Sequence, residues 1–299
     1  MGAAKSSSLA LLAVVSGALI LGATTAALRE IDVGSTAAGF WRVALALPIL
    51  LLLVALGRGQ KARAASLAGP KPWRLLALAG AFFAGDLVLW HLSLTHTSLG
   101  NATFLATLSS LWVPLTAYLL HRQPLTRHFI LGLICALTGS AILIGAHFSW
   151  NWTTWRGDLF GLLTGFFFTG YLLVIGRCRD TLTTADTMLY SSGFCALLLL
   201  PLAVGANLAA GEPMIPTTMA GWLSVLALGL LAHLLGQSLV AFGVGSLSAS
   251  LAAVILCLEG VGAMAVGALF YAENRSWLDG FAVMFIVSGI GLAQYQATN

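Results

Sequence analysis

Charge is scarce in this sequence. Ten carboxylates and fourteen basic side chains are spread over 299 residues, 59% of which are hydrophobic, and that leaves too little polar surface to clothe a soluble globule. The net charge of +4 is carried thinly by short loops and builds no basic face, so nucleic acid is excluded as a partner. Only four cysteines occur, Cys135, Cys178, Cys195 and Cys257, each in or beside an apolar run and without CxxC spacing. Reduced, buried thiols are expected, with neither a disulfide framework nor a metal site. His91 and His96 are five apart, a poor ligand spacing. No nucleophile elbow, HExxH, P-loop or GxGxxG is present, so no cofactor is expected and the chain does not read as an enzyme.

What the sequence has is long apolar runs. Ten of them, near residues 9–28, 35–56, 73–94, 99–120, 128–146, 157–176, 185–205, 219–242, 247–270 and 278–296, match the length of a bilayer-spanning helix. The fold class is therefore an all-α membrane protein of ten transmembrane helices. The first run is read as a retained helix and not a cleaved leader, because it is long enough to span. With the N-terminus in the cytoplasm, that side collects Lys5, Arg58, Lys61, Arg63, Lys71, Arg74, Arg122, Arg127, Arg177 and Arg179, and the other side only Arg29, Arg156 and Arg275. This bias puts both termini in the cytoplasm of a multi-pass protein of the inner, cytoplasmic membrane. Trp150, Trp152 and Trp155 crowd one outer loop, where indole rings favour the interface.

The two halves resemble each other faintly. An offset of 151 places Gly85 on Gly236, Ala102 on Ala253, Leu105 on Leu256 and Ala117 on Ala268, and lays THTSLG over SLSASL. Residues 1–146 and 147–299 then read as two five-helix repeats. An odd number of spans inserts the second from the opposite side, giving inverted topology of the kind common in secondary transporters.

A charge at mid-bilayer costs at least about 2.5 kcal/mol, so each one is a functional candidate. Arg42, Asp86 and Glu259 lie at such depths, joined by His91, His233 and Gln237. Asp86 and Trp90 are four apart and share a helical face, which offers a carboxylate for an ammonium group and a ring to stack on. The alternative is a carboxylate paired with Arg42 or His91 for packing alone. His233 and Gln237 are likewise four apart, and the offset lays Gln237 on Asp86. A shared cavity explains this, and so do ordinary interhelical hydrogen bonds. Glu259 sits among small residues where water can approach, which makes it the candidate for proton coupling; a silent bond to a carbonyl is the other reading. Pro114 is expected to kink the fourth helix, with Pro48 and Pro201 as similar breaks.

The pattern FWR at 40–42, WHLSLTHTSLGNATFLATLSSL at 90–111 and a small-residue ninth helix ending LFYAEN at 269–274 resembles the drug/metabolite transporter superfamily, specifically proteins with two EamA domains. Within it the chain is similar to the YddG-type amino-acid exporters. The resemblance implies inverted five-helix repeats around a central cavity lined by helices 1, 3, 4, 6, 8 and 9, and export of small metabolites. Proline is frequent early in helices four and nine of such proteins, where Ser109 and Gly260 stand here; Glu273 keeps a family residue, and Arg122 replaces its counterpart.

The expected function is a secondary transporter that exports amino acids, aromatic or otherwise apolar, or related small metabolites, by alternating access. Efflux of lipophilic cations is the alternative. Asp86, Trp90, His91, His233 and Gln237 are the candidate substrate-binding residues and Glu259 the coupling candidate. The partners are the small-molecule substrate, the lipid bilayer and protons.

Overall fold

The structure, a computed structural model, describes residues 2–57, 65–122, 124–145, 153–272 and 276–295. Arg58, Lys61, Arg63, Trp150, Trp152, Glu273 and Arg275 lie outside the described residues. Among the described residues ten helical spans follow one another: α1 (Ser7–Glu30), α2 (Ser35–Leu56), α3 (Pro70–His96), α4 (Leu99–Leu120), α5 (Arg127–Gly145), α6 (Trp155–Arg179), α7 (Thr184–Ala210), α8 (Met219–Val244), α9 (Ala249–Tyr271) and α10 (Trp277–Tyr295). Among the described residues nine are long and apolar enough to cross a membrane, and α5 is apolar over Arg127–Leu143.

The pairing of helices shows the repeat. Helix α3 packs on α6 and α8 on α1; α4 packs on α6 and α9 on α1; α3 packs on α7 and α8 on α2; α2 meets α7, and α5 meets α10. Exchanging each helix with the one five places along reproduces the same set, as an internal two-fold requires. The α5–α10 seam shows it at atomic detail. A Cβ on Gly132 would lie 2.5 Å from the Gly289 carbonyl oxygen, and one on Gly289 would lie 2.5 Å from that of Gly132. Only residues without side chains permit so close a crossing.

The register of the repeat in α4 and α9 is 150, which corrects the offset of 151. Ser98 Oγ caps α4 by accepting from Asn101 N–H at 3.1 Å, and Ser248 Oγ caps α9 by accepting from Leu251 N–H at 3.2 Å. Both helices tighten before resuming at Ser109 and Glu259. Both end on a left-handed residue, Arg122 (φ 51°) and Ala272 (φ 48°). Ser109 and Glu259 are thus equivalent positions. The expected kink at Pro114 is not where α4 breaks: Pro114 sits inside the uninterrupted stretch Ser109–His121. Helix α9 tightens at the matching place without any proline, so the break belongs to the paired geometry of the two helices. Pro201 likewise lies within unbroken α7. Pro48 does lie in the first turn of the second part of α2, Leu47–Leu56, after a break at Leu45–Ala46, where its missing N–H costs nothing.

The α1–α2 loop is tied to the start of α8. Asp32 Oδ2 accepts from the N–H and hydroxyl of Thr217, both at 3.0 Å, and from the N–H and hydroxyl of Thr218 at 2.8 and 2.9 Å. Desolvation in the loop pulls this carboxyl up, but the bonds from Thr218 and Thr217 outweigh it and hold it below its ordinary 3.8. A lowered value means that the contribution to stability is complete above pH 3.8 and is lost as pH falls below it. Asp32→Asn is accordingly expected to lower the melting temperature in detergent micelles at pH 7. The acid-side decline should be shallower in the variant than in the parent.

Candidate functional site

A cavity of about 470 Å³ opens between the repeats, within the range of about 300–1,000 Å³ usual for small-molecule sites. Helices α1, α3, α4, α6, α8 and α9 line it, joined by Arg42 of α2 and Leu143 of α5. It runs from mid-depth, at Asp86, Gln237 and Glu259, to the face on which α1, α3 and α9 end, at Arg29, Ser98 and Gly267. Towards the opposite face the same helices are packed side chain against side chain. Val14 and Ala18 of α1, Val113 of α4, Leu172 and Ile175 of α6, Val240 of α8 and Leu251 to Ile255 of α9 are all buried in one continuous core. The chamber is open at one end and plugged at the other.

Local structure sets each lining residue. Trp41 donates its Nε1–H to the Met214 carbonyl at 2.7 Å and stacks edge-on against Trp222. Those contacts pin the first half of α2, and Arg42 next to it turns into the cavity with its guanidinium 5.9 Å from the centre of the Phe83 ring. Arg42 Nε is buried and has no hydrogen-bond partner among the described residues, and no carboxylate there comes within ion-pair distance of the guanidinium. Asp86 and Glu259 face the same space, and neither has a protein hydrogen bond among the described residues. The structural pairing of Asp86 with Arg42 or His91 is therefore not what this site contains. Trp90 lies one turn from Asp86 on the cavity wall, with Phe83 and Phe168 as further aromatic lining.

The two histidines lie behind that wall and do not line the cavity. His91 is 5% exposed, with Nδ1 2.7 Å from the Leu87 carbonyl, and meets Trp90 edge-on at 5.3 Å. His233 is 1% exposed, with Nε2 2.8 Å from Ser192 Oγ, and stacks on Phe83 at 5.2 Å. Each braces an aromatic ring that does face the chamber. His233 and Gln237 both lie in the π turns of Ala227–Gln237, yet the first packs against Ser192 and Phe83 while the second faces the chamber. Gln237 reaches the cavity, with its amide nitrogen buried and unpartnered among the described residues.

Several further residues shape the site. Asp158, in the first turn of α6, accepts from Thr97 Oγ1 at 2.7 Å and Asn101 Nδ2 at 3.1 Å, holding the start of α4 at the cavity mouth. Thr103 and Thr107 of α4 add hydroxyls to the lining. Arg29 stands 4.1 Å over the Tyr271 ring at the mouth. Arg179 lies 150 residues further on, and each of the two is followed by an acid. At the plugged face it donates to the Leu182 carbonyl and covers Gly245. Equivalent parts are thus arranged differently at the two faces.

Thiol labelling reads this asymmetry directly. In a protein with Cys135 replaced by Ser, Thr103→Cys is expected to react with a membrane-impermeant maleimide from the open face. Ala252→Cys, at 0% exposure in the plug, should react far more slowly.

Known proteins agree with this architecture. The sequence profile of the EamA-like transporter family matches residues 8–145 and again residues 155–294. One crystal structure superposes with a TM-score of 0.78 over 97% of this chain and 98% of its own, at 20% identity, a likeness that shows the fold. No curated protein matches the chain. Two matches in tandem account for nearly all of the sequence, and with the long apolar helices and the chamber that six of them line they lead to one conclusion: the chain belongs to the EamA-like transporter family, multi-pass membrane transporters of small molecules within the drug/metabolite transporter superfamily.

Proposed function

We propose that this protein is a secondary transporter that exports amino acids with aromatic or other apolar side chains, or related small metabolites, by alternating access across the cytoplasmic membrane. The supporting observation is a chamber plugged at one face and open at the other, whose deepest wall carries two carboxylates and one guanidinium with no ion pair between them among the described residues. Charges at mid-depth are costly unless something mobile pairs with them. In this reading Asp86 receives the ammonium group and Trp90 packs on the substrate side chain, with His91 and His233 bracing Trp90 and Phe83. Gln237 adds a hydrogen bond. Glu259, equivalent to Ser109 in the first repeat, exchanges the coupling proton. Residues 1–146 and 147–299 are the two units that rock against each other, and both termini lie in the cytoplasm, so the open end faces outward.

The test is uptake of a panel of amino acids by proteoliposomes, with and without a pH gradient. Accumulation of phenylalanine or leucine above protein-free vesicles, raised by the gradient, is the expected result; none for any amino acid would sink the reading. Two acids and three lining aromatics, Phe83, Trp90 and Phe168, also favour lipophilic cations. Competition between phenylalanine and a quaternary amine separates the two, since only in the second reading does the amine displace everything that is carried.

A further inference from the structure

We infer that Arg42 and Gln237 together form an anion subsite that holds the carboxylate of the substrate, in the chamber that Asp86 and Glu259 also line. This deepens the amino-acid reading above and rests on it for the identity of the substrate. The observation is an excess of unmet donors on one wall. Arg42 Nε and Gln237 Nε2 are both buried without a hydrogen-bond partner among the described residues, and both side chains line the cavity. A buried donor left unpaired is costly, so two of them on one chamber call for an acceptor that the protein itself does not supply. The guanidinium has a planar fork suited to a carboxylate, and the amide can add a further bond from the side.

The surroundings hold both donors in place. Trp41 anchors the backbone beside Arg42 through Met214 and Trp222. The Tyr171 hydroxyl is directed to Met188 Sδ at 3.8 Å, which leaves the Gln237 amide nitrogen unmet, and Phe83 lies beneath the guanidinium. Preset donors of this kind favour a ligand of fixed shape. The opposite charges recognise the other half of a zwitterion. A simple cation would bring no acceptor for either donor and would meet the repulsion of Arg42. An amino acid satisfies both sides at once, and the aromatic wall takes its side chain.

The experiment uses two probes that differ only in the carboxylate, phenylalanine and phenethylamine, in counterflow with reconstituted parent, Arg42→Gln, Arg42→Lys and Gln237→Leu proteins. A third probe, hydrocinnamate, carries the carboxylate without the amine, and its binding is read in detergent by thermal stabilisation. The expected result is that Arg42→Gln loses at least about tenfold in phenylalanine transport, the size of one charge-assisted bond, and keeps or gains phenethylamine transport. Arg42→Lys should recover part of the loss, Gln237→Leu should lose less, and hydrocinnamate should stabilise the parent but not Arg42→Gln. Equal loss of both amines, or undiminished phenylalanine transport, would overturn the subsite. If the parent carries no amino acid yet is stabilised by hydrocinnamate through Arg42, the transport reading falls and the subsite stands. If hydrocinnamate and phenylalanine both leave the parent unmoved, the subsite falls as well.

Discussion

Asp86→Asn is expected to reduce amino-acid transport by about 10- to 150-fold, the equivalent of about 1.5–3 kcal/mol for one hydrogen bond to a charged group, while the protein still inserts and runs as a monodisperse species in detergent. What the side chain touches decides the outcome. Asp86 is 8% exposed and faces the chamber, with no hydrogen bond from the protein among the described residues. A carboxylate with a structural partner leaves that partner stranded when neutralised, and the fold suffers. Here no partner is stranded, and asparagine keeps the shape, so folding should be nearly indifferent. Transport should not be, because the amide cannot offer an ammonium group a full negative charge. Initial rates in proteoliposomes, set beside a melting curve of the same preparation, decide between the cases. A variant with parental rates would remove Asp86 from the site, and one that is inactive because it aggregates would reveal a structural role instead.

The parts of this molecule that were readable in the sequence were those governed by the solvent. Apolar runs long enough to cross a bilayer must be helices, because lipid offers no partner for free backbone groups, and the spans fall where the runs do. Rare charges in those runs are costly anywhere except at a wet surface, and so Asp86, Glu259 and Gln237 could be singled out before any cavity was seen. The remainder depends on which helix a given face meets. His91 and His233 have the same rarity as Asp86, yet they turn away from the chamber, since helical periodicity fixes angles between residues and not the direction of the bundle axis. The repeat register slipped by one because Ala, Gly and Leu match by chance at many offsets. The landmarks that fix it, the Ser98 and Ser248 caps and the left-handed Arg122 and Ala272, are features of backbone geometry. Nothing in ALGLLAHLLGQ announces π turns. Arg42 was visible only as a charge at depth; that its own Nε and the Gln237 amide are left unmet emerges only when the helices are brought together.

The second large effect is expected at Gly22, where α1 crosses α9 beside Glu259. A Cβ at Gly22 would lie 1.8 Å from the Glu259 carbonyl oxygen and 2.6 Å from its carbonyl carbon, and one at Gly262 would lie 2.3 Å from the Leu19 carbonyl oxygen. Real contacts of this kind stay above 3.0 Å, and the atoms met are backbone, which cannot swing aside. Gly22→Ala must therefore force the two helices apart. Overpacking costs about 1–3 kcal/mol even where side chains can yield, and at a backbone crossing the cost should reach or exceed the top of that range. The displacement would fall at the point where α9 resumes after its tight turn and presents Glu259 to the cavity, so transport should be lost even in whatever fraction folds. Gly193→Ala is the control: nothing lies within 4 Å of its Cβ position in the middle of α7, and alanine there should be neutral or stabilising by about 0.5–1 kcal/mol. Melting temperature and transport rate, measured on both variants, give the answer. If Gly22→Ala melts and transports like the parent, α1 and α9 do not cross at this distance, and the placement of Glu259 in the chamber falls with the crossing.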